Sequence, residues 1–120
     1  MCGTFPSLKN NALVPFESLL EADLIALMEQ DQDITAYFAQ PETFCWRASN
    51  RKVRRYTPDF LVIYSDGRRA YREVKPTKHL RRDESLRGRR SRIELECSAR
   101  GASFEVWTEK DIRPGTFSRV

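Results

Sequence analysis

The chain reads as a mixed α/β sandwich, with helices packed around a central sheet. Three observations predict this. Strand-like runs of β-branched and aromatic residues recur between positions 34 and 75, and again at 103–108. Two stretches with helical spacing, 15–32 and 78–99, flank the larger strand block. At 120 residues, without internal repeats or low-complexity segments, the chain makes one domain, its core at about residues 14–112.

The elements follow in order. Residues 1–11 carry little pattern and read as a loose lead-in. In 15–32, Leu20, Leu24, Leu27 and Met28 form one apolar stripe, and Ser18 with Glu21 suits a helix N-cap. Strands are expected at 34–39 and 43–48, separated by a Gln40-Pro41-Glu42 corner, with a turn at Ser49-Asn50-Arg51. Residues 52–64 read as one extended run interrupted by Pro58, which removes a ladder donor and favours an edge or bend. A strand over 68–75 ends at Pro76-Thr77. The second helical stretch, 78–99, places Leu86, Arg90, Ile93 and Cys97 on one stripe, is weakest at Gly88, and stops at Gly101. A last strand puts Phe104 and Val106 on one face, and Thr108 with Asp111 caps a short final turn.

The chemistry concentrates in the hairpin from Tyr56 to Lys75. Ser65-Asp66-Gly67 suits a three-residue loop with Gly67 in the left-handed conformation. Tyr64 then faces Arg68, and Asp59 faces Glu73, roughly 4.5–5.5 Å apart at Cβ. Lys75 shares the face of Glu73 because side chains alternate along a strand. A two-residue Asp66-Gly67 turn would instead put Asp59 on the opposite face. The three-residue register is preferred. Two opposed carboxylates repel, and a hard divalent cation with oxygen ligands would relieve them. The rival reading is an ordinary hairpin with solvated Glu73 and Lys75. Glu21 borders the buried helical stripe, where a carboxylate needs a cation or donors. It is the candidate third metal ligand, with Glu17 as the substitute.

The balance is 21 Lys+Arg against 17 Asp+Glu, a formal net charge of +4. Arg47, Arg51, Lys52, Arg54 and Arg55 form one basic cluster. Lys78, Arg81, Arg82, Arg87, Arg89, Arg90 and Arg92 form another. Basic flanks around an acidic centre suit an enzyme that grips phosphates while keeping its metal ligands negative. A solvated basic helix face is the plainer alternative. Cys2, Cys45 and Cys97 are widely spaced, and His79 is the single histidine, so zinc sites and Ser-His-Asp triads have little support. Cys45 and Cys97 are expected as reduced core residues. No signal peptide or apolar span is evident, so a cytoplasmic location without membrane contact is expected.

Phe16-Glu17-Ser18-Leu19-Leu20-Glu21, Ala39-Gln40-Pro41-Glu42, Tyr56-Thr57-Pro58-Asp59-Phe60-Leu61-Val62 and Glu73-Val74-Lys75-Pro76 together resemble the TnsA endonuclease family. The resemblance implies a restriction-endonuclease-like three-layer fold, a central mixed sheet flanked by helices, and a PD-(D/E)xK nuclease that cuts DNA for a heteromeric transposase. Carried over by position, it implies Glu21, Asp59, Glu73 and Lys75 as catalytic. Metal ligands would be Glu21, Asp59, Glu73 and the Val74 carbonyl, and the cofactor Mg²⁺ or Mn²⁺. Arg47, Arg51, Lys52, Arg54, Arg55, Lys78, Arg81, Arg82, Arg89 and Arg90 are the candidate nucleic-acid contacts. The expected partners are DNA, with a transposase or targeting subunit or a second copy of the chain. Two alternatives stand beside this reading. One is a non-catalytic binding or assembly module of the same fold. The other is a junction resolvase or a phage- or defence-linked nuclease.

Overall fold

The computed structural model describes residues 2–80 and 84–114, with the side chains of all of these except 84–87. The central sheet has four strands. In chain order these are β3 (Ile34–Ala39), β6 (Phe60–Tyr64), β7 (Arg69–Val74) and β8 (Ser103–Trp107), which is also their spatial order. The first three pair antiparallel and β8 joins β7 in parallel, so the sheet is mixed. A parallel neighbour needs a crossover connection, here carrying α2 (Thr77–Leu80) and α3 (Glu84–Ala99).

Alternation along β6 divides the core into two layers. Phe60 and Val62 face one side, where Leu20, Leu24, Ile25 and Met28 of α1 (Leu19–Gln30) pack with Ile34, Tyr37 and Ile112. Leu61 faces the other, where Ile93 and Cys97 of α3 meet Tyr71, Phe44, Trp46 and Tyr56. The result is a three-layer α/β fold of the restriction-endonuclease-like kind. Ser18 caps α1, its hydroxyl accepting from the Glu21 amide at 3.1 Å. Thr108 and Asp111 form a reciprocal capping box on α4 (Glu109–Ile112). Among the described residues no helix is long and apolar enough to cross a membrane.

Three sequence expectations are corrected. Residues 1–11 are not a loose lead-in. Instead, β1 (Gly3–Ser7) pairs antiparallel with β2 (Ala12–Phe16), and β2 takes Pro15 out of the first helix. Residues 52–64 are not one run. The β5 segment (Val53–Tyr56) pairs with β4 (Phe44–Arg47) in a separate two-stranded sheet, and buried Pro58 lies between β5 and β6. Cys45 is exposed because the two-residue period of β4 turns Phe44 and Trp46 inward; Cys97 is buried, which pushes its thiol up to about 11. As expected, helix α3 continues through Gly88.

Candidate metal and nucleic-acid site

The three-residue hairpin loop forms as expected. The Gly67 amide donates to the Tyr64 carbonyl at 3.0 Å, and Tyr64 N–H to the Arg68 carbonyl at 2.8 Å. Gly67 has φ +91°, a conformation in which a side chain would be strained. Phe60 then lies opposite Arg72 and Leu61 opposite Tyr71, a register that extends to Asp59 opposite Glu73.

The surroundings of Asp59 are tightly specified. The Gln40 amide, in a backbone conformation with φ +44°, donates to the Asp59 carbonyl at 2.8 Å. The Val74 amide donates to Asp59 Oδ2 at 2.7 Å. In an extended strand a residue's N–H and C=O point toward the same edge, so the Val74 carbonyl is also directed to the Asp59 side. Glu73 Oε2 accepts from the Tyr56 hydroxyl at 2.8 Å, and Lys75 Nζ stands 3.9 Å from Glu73 Oε1. These side chains are largely shielded: Glu73 is 13% exposed and Lys75 23%.

Burial followed by the neighbouring Glu73 charge raises the Asp59 carboxyl well above the ordinary carboxylate range. Val74 N–H and the Lys75 ammonium oppose that rise. Sharing a proton is how two close carboxylates coexist without a cation. The donor set therefore fits a divalent ion: two half-buried carboxylates, one main-chain carbonyl, and an ammonium beside them.

Glu21 arrives from the other layer, at the end of α1. Burial raises its carboxyl; the Glu17 amide, donating to Oε1 at 3.2 Å, opposes this, and the Asp59 charge adds to the rise. Glu21 is thus close enough to feel Asp59. However, no group of three His, Cys, Asp or Glu side chains among the described residues is arranged to hold a metal ion. Glu17, the substitute candidate, is exposed and accepts from Gln40 Nε2 at 3.0 Å.

The basic residues sort into two kinds. Arg47, Arg51, Lys52, Arg54 and Arg55 are exposed on the β4–β5 hairpin. Lys78 is exposed on α2. Arg90 is engaged by Glu94 at 3.1 Å and Arg92 by Glu96 at 2.9 Å, both one helical turn away. Half-buried Arg89 donates to the Arg55 carbonyl at 3.0 Å and lies over the Tyr56 ring. Arg81 and Arg82, and the side chains of Leu86 and Arg87, lie outside the described residues.

The sequence reading missed Tyr56. Its signal was available: a tyrosine at an inward strand position needs a partner for its hydroxyl. Gln40 was read as structural without its link to Asp59. Residues 31–109 match the family model described as TnsA-like endonuclease N terminal. No curated protein matches the chain.

Proposed function

The chain belongs to the TnsA-like endonuclease family, and from that premise we propose that it hydrolyses DNA phosphodiester bonds at the Asp59–Glu73–Lys75 centre with a bound divalent cation. The half-buried pairing of Asp59 with Glu73 carries this reading. A fold keeps two neighbouring carboxyls in a shielded site at a cost unless something is bound between them. Asp59, Glu73 and the Val74 carbonyl would hold Mg²⁺ or Mn²⁺. The ion, when bound, supplies polarisation of the phosphoryl oxygen and a water of lowered pKa.

The protein's own groups do the positioning. Tyr56 fixes one oxygen of Glu73, and the Val74 amide fixes one oxygen of Asp59. Lys75, on the same strand face as Glu73, orients the attacking water or stabilises charge developing on the phosphoryl group. Glu21 feels the Asp59 charge and supplies a further carboxylate at the site's edge. The exposed basic residues grip backbone phosphates. A targeting or transposase subunit, or a second copy, would supply site selection that one small domain has little surface to provide.

Cleavage of supercoiled plasmid with Mg²⁺ or Mn²⁺, and with EDTA, tests this directly. Wild type is expected to nick only with metal. Lys75→Ala should lose at least about 10²-fold in rate while still binding DNA. Nicking at wild-type rate by Lys75→Ala sinks the assignment. If neither protein cuts or gains thermal stability with metal, the non-catalytic module is the better reading.

A further inference from the structure

Apart from the carboxylate centre, the most distinctive feature is the β4–β5 hairpin, an arm outside the central sheet. Its cations form a cluster without carboxylate partners among the described residues. Arg68, Arg72, Arg90, Arg92, Arg100 and Arg113 each pair with a carboxylate. None of the arm's five, Arg47, Arg51, Lys52, Arg54 and Arg55, forms an ion pair among the described residues, and all are exposed. Among the described residues, Lys9, Arg69, Lys78 and Lys110 also form no ion pair but are scattered, so the densest group of unpaired cations is on the arm.

The arm is also held in shape. Phe44, Trp46 and Tyr56 are buried against Tyr71, Ile93 and Cys97. At the tip, the Ala48 amide donates to the Lys52 carbonyl and the Arg51 amide to the Ala48 carbonyl, both at 2.9 Å. The Lys52 amide donates to Asn50 Oδ1 and the Arg47 guanidinium to the Arg51 carbonyl, both at 3.0 Å. Cross-strand pairing puts Arg47 and Arg55 on the outer face and Arg54 beside Trp46 on the inner one, so cations leave the ribbon on both sides and at its tip.

We propose that this arm lies as a two-stranded ribbon in the major groove of duplex DNA, to one side of the scissile phosphate, its cations reaching phosphates on both strands. The proposal rests on the nuclease reading and adds where the duplex sits. A B-form major groove is about 12 Å wide and admits a two-stranded ribbon. The chain leaving the tip follows β5 to Tyr56 and then passes through Pro58 to Asp59. From Lys52 to Asp59 the chain spans at most about 23 Å at ~3.3 Å per residue, about two-thirds of a ~34 Å helical turn. Arm contacts and cleavage point are thus joined by a fixed stretch of chain. Double-stranded RNA, with its deep and narrow major groove, does not accept such a ribbon.

The test uses Asp59→Asn protein, so that binding is read without cleavage. Affinity is measured across a salt series for a duplex DNA of about 30 base pairs, roughly three helical turns. The same series is run with duplex RNA of that sequence and with single-stranded DNA. The arm variant adds Arg51→Ala, Lys52→Ala, Arg54→Ala and Arg55→Ala, with Arg92→Ala as the comparison. Melting temperatures confirm that each variant is folded. Duplex DNA should bind at least about 10-fold tighter than duplex RNA, and the bound protein should protect guanine N7, a major-groove atom, from methylation. The arm variant should flatten the log–log salt slope by about 3–4, near 0.9 per lost phosphate contact, whereas Arg92→Ala should flatten it by less than one contact. An unchanged slope in the arm variant, or equal affinity for duplex RNA, overturns the proposal and leaves the nuclease reading standing. Absence of any nucleic-acid binding overturns both.

Discussion

The Tyr56 hydroxyl joins the basic arm to the carboxylate pair. Its ring lies against Phe44 and Phe104, with the Arg89 guanidinium over it, and its O–H donates to Glu73 Oε2 at 2.8 Å. Burial and then the Glu73 charge hold the phenol well above its ordinary pKa, so it stays a donor across the working range. Tyr56→Phe removes the donor and keeps the ring. A hydrogen bond to a charged acceptor contributes about 1.5–3 kcal/mol, so the nicking rate should fall by about 10-fold or more. The metal concentration giving half-maximal rate should rise as Glu73 loses its orientation. A purely structural tyrosine would lower the melting temperature and leave that metal dependence unmoved. At this scale the sequence was informative where strand period alone decides geometry: Asp59, Glu73 and Lys75 meet because a three-residue loop fixes their register. It marked Tyr56 as needing a partner but not which one, since no periodicity records which carboxylate a hydroxyl reaches through the fold. Glu21 was legible as a half-buried acid. Its engagement by the Glu17 amide is a local turn detail that the helical pattern does not encode.

Elements fail to announce themselves when long-range contacts hold them. The β1–β2 hairpin carries Pro6 and Pro15 within five-residue strands, which breaks the alternation a reader would seek. Its stability comes from Glu29 on α1. That carboxylate accepts from Ser7 Oγ at 2.7 Å, the Lys9 amide at 2.9 Å and the Tyr37 hydroxyl at 2.6 Å. Asn10 completes the attachment by bonding both the N–H and the C=O of Tyr37 on the edge strand β3, much as a neighbouring strand would. Burial pushes the Glu29 carboxyl up, yet these three donors hold it below the ordinary range. Glu29→Ala should cost about 1–3 kcal/mol in urea unfolding, because it strands two hydroxyls and an amide. Plasmid nicking at low temperature should survive, since the partners of Glu29 are Ser7, Lys9 and Tyr37, none of them in the carboxylate centre. A variant as stable as wild type would show that the hairpin is not held through Glu29. Gly88 is the converse case. A helix-interior glycine costs about 1 kcal/mol relative to alanine, but burial of Ile93 and Cys97 and the ion pairs one turn apart outweigh it.

At the scale of the whole molecule, the carboxyls pull stability in opposite directions with pH. Glu29 and Glu109 sit below their ordinary values. For Glu29 burial acts upward but is outweighed by its donors; for Glu109 hydrogen bonds from Thr77 dominate. Groups lowered in the folded state contribute stability above their unfolded pKa and lose it as pH falls through the folded value. Asp59 and Glu21 sit above their ordinary values, chiefly through burial. For them the folded state binds more protons than the unfolded chain, so stability declines as pH rises from the ordinary carboxyl range through the folded value. The metal-free protein should therefore melt highest in mild acid, around pH 5, and progressively lower toward pH 8–9. A divalent ion competes with that shared proton, so Mg²⁺ or Mn²⁺ should restore the melting temperature more at high pH than at low. Metal at about 100 times its Kd adds about 2.7 kcal/mol, enough to move a domain of this size by several degrees. Asp59→Asn removes the repulsion and one ligand together. It should flatten the alkaline decline and abolish the metal response, whereas Lys75→Ala should keep the metal response after losing activity. Melting curves collected against pH, with and without metal, for these three proteins separate the cases. A wild-type melting temperature indifferent to metal at high pH would remove the physical basis for a cation between Asp59 and Glu73.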